Sequence, residues 1–483
     1  MNQKNNKSSI VEMTAVELSK SIHTKEVSCV EVMNAYLDQI EKINPKVNAI
    51  ISMQPRDQLI DQAAKADQAL AANNSVGWMH GFPLAPKDLT ATAGIPTVMG
   101  SPNLKNNITA HDSIVVQRMK GAGAILIGKT NTPEFGLGSH TYNTVFGVTK
   151  NAYDQSKSAG GSSGGTAVAL ALNLLPVADG SDMGGSLRNP AAWNNIYGLR
   201  PSRGRVPFGP TGEVFFEQLG TEGPMGRNVP DLAMLLSVQA GYDKRAPLSL
   251  SDNPEKFSHS LARDFNGVKI GWMGDFGGHL PFESGVLDLC KTSLKYFDQV
   301  GCQVEEVLPK FDFNKLWDCW LKLRAFLISG KLNIFYSNPD MRSKLKPEAI
   351  WEIEQGHSLN PSQVYAASEV RTAWAMEMNR LFETYDYLAM PTAQVFPFAA
   401  EEHWPKSVGG KAMDTYHRWM EVIIGPTLAG LPAISLPAGF SPEGLPMGIQ
   451  LIGKPGADFE VLQLANAWQQ ATPFIEQKSA LLS

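Results

Sequence analysis

Three short segments of this chain carry side chains that together could cleave an acyl bond. Two are glycine-serine loops, GGSSGG at residues 160–165 and GGS at residues 184–186. The third contains Lys87, which follows the apolar run GFPLAP at residues 81–86. Glycines leave the backbone bare, so a substrate carbonyl can approach the serine hydroxyls and the neighbouring amides. The segments therefore offer hydroxyl nucleophiles and an amine that could serve as their base.

The positions of the two loops favour Ser186 as the nucleophile. The first loop precedes an apolar helix predicted over residues 166–172, whose N-terminal amides favour an oxyanion or a phosphate. A glycine-rich packing turn is the alternative for this loop taken alone. The second loop follows a strand predicted at residues 176–178, and glycines before Ser186 let a carbonyl reach consecutive backbone N–H groups. An acyl group held there would lie next to the Ser186 hydroxyl.

A serine nucleophile needs a base, and the sequence offers Lys87 rather than a histidine. None of the nine histidines lies in or beside either loop, although distance along the chain does not exclude one. The apolar residues before Lys87 indicate a lysine carried inward at the end of a strand. Burial disfavours the ammonium form and so lowers the pKa of a lysine towards neutrality. The alternative for this residue alone is a surface lysine paired with Asp88.

The elements that position these segments alternate between helix and strand. Capping boxes at Thr14 and Ser28 predict two amphipathic helices near the start of the chain. A helix capped by Asp112 is predicted to run through Met119, followed by a short buried strand at residues 124–127. Helix and buried strand recur at residues 166–172 and 176–178. This alternation predicts an α/β fold with a mixed, twisted sheet covered by helices on both sides.

Composition narrows the class of protein. The 483 residues are 43% hydrophobic and 18% charged with a net charge of -5, which is typical of a globular protein and not of a nucleic-acid binder. Residues 1–7 (MNQKNNK) predict no signal sequence, and no apolar run is long enough to span a bilayer, so we expect a cytoplasmic protein without membrane partners. The four cysteines lack the spacing of zinc ligands, and their pattern predicts buried or inert thiols and no bound metal.

Many segments, in order and spacing, resemble the amidase signature family of amide hydrolases. The resemblance is strongest between Met79 and Arg227. The matching segments are GFP at 81–83 with Lys87 and Asp88, GIPT at 94–97, GS at 100–101, GKTN at 128–131, EF at 134–135, GGSSGG at 160–165, DMGGSLRNP at 182–190, GLRPS at 198–202, GPMGR at 223–227, GLPAISLP at 430–437 and GLPMGIQ at 444–450.

The resemblance implies an amidase-signature fold in one domain spanning residues 1–483. Within it, residues 1–75 would form N-terminal helices, and residues 76–260 the signature core with the catalytic loops. Residues 261–483 would supply the remaining sheet, a helical substrate-pocket region and the C-terminal motifs.

The resemblance also implies a Ser-cisSer-Lys triad. Ser186 would be the nucleophile, Ser162 the bridging hydroxyl on a cis peptide, and Lys87 the base. The backbone amides of Met183, Gly184, Gly185 and Ser186 would form the oxyanion hole, while Asp182 and Arg188 would support the loop. Hydrolysis through an acyl-enzyme by this relay needs no cofactor.

Two other motifs predict different enzymes. Residues 123–130 (GAILIGKT) fit the Walker A pattern of nucleotide hydrolases, but the residues between the glycines are apolar and the lysine leads to Thr132 and Pro133 rather than into a helix. Residues 161–165 (GSSGG) fit the nucleophile elbow of α/β-hydrolases, which would make Ser163 the nucleophile. The segment before them is polar and resembles a loop, whereas an elbow follows a strand.

A third alternative lies within the resembled family, namely the glutaminase subunit of a tRNA-dependent amidotransferase. Such subunits share the triad, but residues 208–216 (FGPTGEVFF) do not resemble the corresponding segment and favour a free-standing amidase. The sequence leaves a homo-oligomer open. An apolar or aryl amide is the expected substrate, because residues 310–420 supply aromatic side chains for a pocket: Trp317, Trp320, Phe326, Phe335, Tyr336, Trp351, Trp374, Trp404, Tyr416 and Trp419.

Overall fold

An eight-stranded mixed sheet organises the chain in a computed structural model that describes residues 10–483. The N-terminal stretch, for which no signal sequence is expected, lies outside the described residues. The strands are β1 (Ile50–Ile51), β2 (Pro83–Leu84), β3 (Ile125–Leu126), β4 (Lys129–Thr130), β5 (Tyr142–Asn143), β6 (Gly147–Val148), β7 (Ala178–Asp182), β8 (Tyr197–Arg200), β9 (Thr221–Gly226), β10 (Lys269–Trp272), β11 (Gln303–Glu306), β12 (Tyr387–Pro391), β13 (Ser407–Val408), β14 (Lys411–Ala412), β15 (Ala433–Phe440) and β16 (Pro446–Ile452).

Helices surround this sheet, and the longest of them follow β11. The helices are α1 (Ala15–His23), α2 (Cys29–Val47), α3 (Arg56–Ala71), α4 (Ile114–Gly121), α5 (Gly164–Ala171), α6 (Arg188–Trp193), α7 (Val229–Gln239), α8 (Val286–Ser293), α9 (Lys295–Gln299), α10 (Phe313–Tyr336), α11 (Pro339–Arg342), α12 (Pro347–His357), α13 (Pro361–Phe382), α14 (Ile424–Ala429) and α15 (Asp458–Ala471). Within residues 10–483, none of the helices is both long and apolar enough to cross a bilayer.

The strand order of the large sheet is β11-β10-β12-β16-β15-β8-β9-β7. The pairs β11-β10 and β10-β12 are parallel, whereas every other neighbouring pair is antiparallel. Strands β8, β9, β12 and β16 are buried along their whole length. Because successive side chains point to opposite faces, continuous burial means that both faces are covered. The mixed, doubly covered sheet predicted from the sequence is confirmed.

Local signals were accurate at some helix ends and misplaced at others. Thr14 and Ser28 form the expected capping boxes at the starts of α1 and α2. The cap of α4 is Ser113 rather than Asp112, because the Ser113 hydroxyl accepts from the Val116 amide at 3.4 Å. Asp112 instead accepts from the Ala93 amide at 2.7 Å and tethers a neighbouring loop.

The helix after the first glycine-serine loop begins two residues earlier than predicted, and the strand before the second loop begins two residues later. Helix α5 begins at Gly164 rather than at residue 166, so the last two glycines of the first loop form its first turn. A Cβ atom on Gly165 would lie 2.4 Å from the backbone nitrogen of Asn131, which explains why the helix starts with glycine. Strand β7 begins at Ala178 and ends at Asp182, directly before the second loop. The four cysteines are buried and unpaired, as predicted.

Candidate active site

A cavity of about 490 Å³ brings the two glycine-serine loops together. Ser162 from the first loop and Ser186 from the second both line it, as does Ser181 at the end of β7. Helix α10 forms another wall, to which it contributes Trp320 and Phe335 among other side chains. The remaining lining mixes aliphatic and aromatic side chains with glycines and with polar or charged groups. The cavity therefore combines an apolar interior with hydroxyl groups, which is typical of a small-molecule site.

Lys87 lies beneath this cavity and is fully buried. Its Nζ atom lies 2.7 Å from Ser162 Oγ, 2.9 Å from Ser163 Oγ and 3.0 Å from Ser181 Oγ. The residue follows β2, and its backbone bridges to Thr130 in β4. The alternative of a surface lysine paired with Asp88 is wrong, since the Asp88 carboxylate instead accepts from the backbone amides of residues 98 and 100.

Burial controls the charge of this lysine. Removal from water lowers the pKa of Lys87 to about 7, although the carboxylates of Asp179, Asp182 and Glu222 act in the opposite direction. Hydroxyl oxygens surround the amine, and within the described residues no carboxylate lies within ion-pair distance of it. A substantial fraction of the amine is therefore neutral near pH 7 and able to accept a proton.

Tight backbone packing holds Ser162 against Lys87. The peptide bond between Gly161 and Ser162 is cis, as the resemblance implied. The Gly161 carbonyl accepts from the Ser139 hydroxyl at 2.5 Å. A Cβ atom on Gly164 would lie 2.3 Å from Thr141 Oγ1, so this part of the loop accommodates only glycine without a shift of its neighbours. The first glycine-serine loop thus fixes the Ser162 hydroxyl, which accepts a hydrogen bond from the Lys87 amine.

Buried ion pairs hold the second loop. The Asp182 carboxylate accepts from Arg188 Nε and Nη2, both at 3.0 Å, and from Arg200 Nη1 at 3.2 Å. Burial alone would raise the pKa of Asp182, but the two guanidinium groups outweigh it and hold the pKa far below its ordinary value. Arg188 also donates to Gln450 Oε1 at 2.7 Å and to Thr427 Oγ1 at 3.0 Å. These contacts tie the loop to β16 and α14.

The amides of the second loop differ in availability. Gly185 donates its N–H to Asp182 Oδ1 at 3.0 Å, so this amide is occupied by the protein. For the amides of Met183, Gly184 and Ser186, the described part of the chain supplies no hydrogen-bond acceptor. Gly185 has φ +81°, and a Cβ atom there would lie 2.9 Å from Ile423. The loop therefore leaves three N–H groups, at Ser186 and just before it, free of acceptors from the described residues, and free backbone donors of this kind can stabilise negative charge.

Ser186 itself is accessible from the cavity. The residue is 7% exposed, and no hydrogen bond from residues 10–483 occupies its hydroxyl. No histidine within that range hydrogen-bonds to the serines of either loop. The cavity does contain one histidine, His417, but both of its ring nitrogens are buried without a hydrogen-bond partner in the described structure. Burial and the charges of Arg324 and Arg418 hold the pKa of His417 well below its ordinary value.

Neither competing motif has the geometry that its chemistry needs. Lys129 of the Walker-like segment is buried and donates to the Thr90 carbonyl at 2.5 Å and to Thr92 Oγ1 at 2.7 Å. Its amine faces protein oxygens rather than a phosphate-sized space. Ser163 of the elbow-like segment is fully buried, does not line the cavity, and approaches Lys87 and Ser181 instead.

Several site residues escaped the sequence reasoning. Ser181 contacts the lysine amine, Arg200 forms a second ion pair with Asp182, and Glu222 lines the cavity. Arg200 lies within a matching segment, and Ser181 and Glu222 each directly precede one, which is the only signal that could have identified them. Of the ten aromatic residues suggested for the pocket, Trp320 and Phe335 line it, whereas Phe135 and Phe208 come from elsewhere in the chain.

Comparisons with known proteins indicate the family of this chain. The family model described as Amidase matches residues 31–462. A glutamyl-tRNA(Gln) amidotransferase subunit from Cyanothece sp. is 33% identical over 96% of this chain and 99% of its own length.

Solved structures give the same family. A bacterial aryl acylamidase of the amidase signature family superposes with a TM-score of 0.90, is 30% identical, and is matched over 96% of this chain and 98% of its own. The corresponding glutamyl-tRNA(Gln) amidotransferase subunit from Thermotoga maritima superposes with a TM-score of 0.74 at 27% identity, over 97% of this chain and 95% of its own. The chain therefore belongs to the amidase signature family and is an amide hydrolase.

Proposed function

We propose that this protein hydrolyses an apolar or aryl carboxylic amide to a carboxylate and an amine or ammonia, through an acyl-enzyme on Ser186. One observation carries the proposal. The buried amine of Lys87 lies 2.7 Å from the Ser162 hydroxyl, which lines the same cavity as the unoccupied hydroxyl of Ser186.

The proposed relay passes protons from Ser186 through Ser162 to Lys87 and later returns them by the same path. Neutral Lys87 accepts a proton from Ser162 while Ser162 accepts one from Ser186, and the Ser186 oxygen attacks the amide carbonyl. The structure contains no hydrogen bond between the two serines, so the relay requires the Ser186 hydroxyl to turn towards Ser162 when substrate binds. The protons then return through Ser162 to the departing amine. Water attacks the resulting ester by the same route and restores the enzyme.

The oxyanion of each tetrahedral intermediate would lie among the amides of the second loop. Met183, Gly184 and Ser186 have N–H groups free for this purpose, and Gly185 shapes the turn while donating to Asp182. Donors fixed before the reaction stabilise the developing charge without reorganisation, and removing one such donor costs roughly 3 kcal/mol of transition-state stabilisation. Asp182 and Arg188 would act by holding these amides in place.

A free-standing amidase is favoured over a component of an amidotransferase complex. The superposition is closer on the aryl acylamidase than on the amidotransferase protein, although the identity to both kinds of protein is about equal. Phe208, from the segment that does not resemble the amidotransferase subunits, lines the cavity together with Trp320 and Phe335. Such a wall suits an apolar or aryl group better than the polar side chain of glutamine.

A substrate panel tests this proposal. Purified protein would be assayed with an aryl acylamide, a fatty amide, a peptide amide, a linear nylon-type oligomer and glutamine, each without partner proteins. We expect hydrolysis of at least one apolar or aryl amide, and loss of that activity in Ser186→Ala. Ammonia release from glutamine alone would instead favour the amidotransferase reading.

The remaining assignments are part of the same proposal. We infer one catalytic domain over residues 1–483 with the three-part division described above, acting in the cytoplasm on a small-molecule amide. A homo-oligomer is compatible with this function.

A further inference from the structure

Glu222 faces the catalytic hydroxyls from the neighbouring strand. It lies on β9 directly opposite Ser181 of β7 in the antiparallel register. Side chains at directly opposed positions lie on the same face of a sheet, with Cβ atoms roughly 5 Å apart. Because the Ser181 hydroxyl contacts the Lys87 amine, the Glu222 carboxyl belongs to the same face as that amine. Glu222 also lines the cavity that exposes Ser162 and Ser186.

This carboxyl has no partner in the described part of the protein. Its Oε2 atom is buried without a hydrogen bond, and no cationic side chain there lies within 4.0 Å of either oxygen. The other charged groups of the cavity wall are all paired: Asp182 with Arg188, Glu217 with Lys331, and Arg324 with Glu352. Glu222 is thus the one carboxyl of this wall, within residues 10–483, that still has hydrogen-bonding capacity for a ligand.

An unpaired polar group of this kind is costly to the folded protein. Buried polar groups are almost always hydrogen-bonded, and one left unsatisfied costs about 1–3 kcal/mol. Glu222 is only 5% exposed, so bulk water does not relieve this cost. Burial and the neighbouring Asp179 raise the pKa of Glu222 to about 8, although two lysines act against this shift. A ligand that donates a hydrogen bond from nitrogen would supply what the wall lacks.

We propose that Glu222 determines substrate specificity by binding an amino group of the substrate, so that the preferred amides carry an amino group close to the scissile carbonyl. This inference rests on the proposed amide hydrolysis. Binding keeps the proton balance: a neutral substrate amine takes the proton of the neutral carboxyl, and the resulting ammonium pairs with the carboxylate. Charge-assisted hydrogen bonds of this type are the stronger ones in proteins.

Matched substrates that exchange an amino group for a methyl group test the inference. Glycine 4-nitroanilide and propionic acid 4-nitroanilide differ in this way in the acyl part, and N-(2-aminoethyl)benzamide and N-propylbenzamide differ in the leaving amine. We expect the wild-type protein to prefer the amino member of at least one pair by about 10- to 100-fold in kcat/KM. Glu222→Leu should abolish that preference, and Glu222→Gln, which keeps an acceptor oxygen, should retain part of it.

A control variant and a binding assay distinguish failure of this inference from failure of the proposed function. Glu217→Gln removes a different carboxylate of the cavity wall, one that pairs with Lys331. This variant should leave the ratio of kcat/KM between the amino and methyl substrates unchanged. The inference would be overturned if wild type showed no preference, or if the preference survived in Glu222→Leu. It would also be overturned if Glu222→Leu lowered kcat equally on both members of a pair. If wild type cleaves no amide, the proposed function fails instead. Calorimetry would then decide the inference, which requires glycinamide to bind more tightly than propionamide and Glu222→Leu to abolish that difference.

Discussion

Replacement of the buried lysine has the largest consequence that the structure predicts. A lysine with the ordinary pKa of 10.5 is neutral in roughly one molecule in 3000 at pH 7, whereas a pKa of about 7 leaves about half of the Lys87 amines neutral. The buried site therefore gains about a thousandfold in available base at neutral pH. Because a positioned general base typically contributes 10²–10⁴-fold, Lys87→Met should lower kcat/KM by about 10²–10⁴-fold.

The pH dependence identifies the base directly. For wild type, kcat/KM should rise with pH along a limb with its midpoint near pH 7, because the protonated lysine cannot accept the serine proton. The rate with a chromogenic anilide would be measured between pH 5 and pH 9, with circular dichroism as a check on folding. Lys87→Met should remove both the activity and the limb.

Lys129 provides a matched control for this experiment. It is a second buried lysine of lowered pKa, but its amine contacts Thr90 and Thr92 rather than Ser162. Lys129→Met should reduce stability while the limb stays near pH 7. A limb that persists in Lys87→Met, or one that disappears only in Lys129→Met, would refute the assignment of Lys87 as the base.

Three further substitutions test the supporting structure. Asp182→Asn leaves two buried guanidinium groups without a counter-ion and should lower the free energy of unfolding by about 3–5 kcal/mol in urea titrations; a loss below about 1 kcal/mol would contradict a structural role. Ser181→Ala removes one acceptor of the Lys87 ammonium, so the acid limb of kcat/KM should move to lower pH by about half a unit, and a shift to higher pH would contradict this. Gly165→Ala places a Cβ atom 2.4 Å from the Asn131 nitrogen and should destabilise the fold by about 3 kcal/mol, measured in the same titration; a neutral effect would show that the helix start can move.

Local sequence signals predicted those parts of the fold that depend on local interactions. The capping boxes at Thr14 and Ser28 use groups three residues apart, so their geometry can be read from the sequence. The start of α5 could not be read in this way. Gly164 and Gly165 suggested a loop, but their role is to let the helix pack against the distant Asn131 backbone and the Thr141 side chain, contacts that no local pattern reveals.

In the candidate site, too, residues in local motifs could be predicted from the sequence, whereas residues placed by long-range contacts could not. Lys87, Ser162 and Ser186 belong to recognisable motifs. Ser162 and Ser186 line one cavity, and the buried Lys87 amine contacts Ser162. Glu222 lies in none of the matching segments, and the role proposed for it depends on the register between β7 and β9.

The ion-pair partner of Asp182 in β8 could not be predicted from the sequence either. The pairing of Asp182 with Arg200 joins residues in different strands, so only the three-dimensional fold reveals it.

Covalent labelling of the nucleophile tests the central claim most directly. The wild-type protein would be treated with a fluorophosphonate serine probe, digested, and analysed by peptide mass spectrometry. We predict a single modified site at Ser186, dependent on Lys87 and absent in Ser186→Ala. A label on Ser163 would revive the elbow-type mechanism, and a label on Ser162 would reverse the proposed relay; either result would contradict the account.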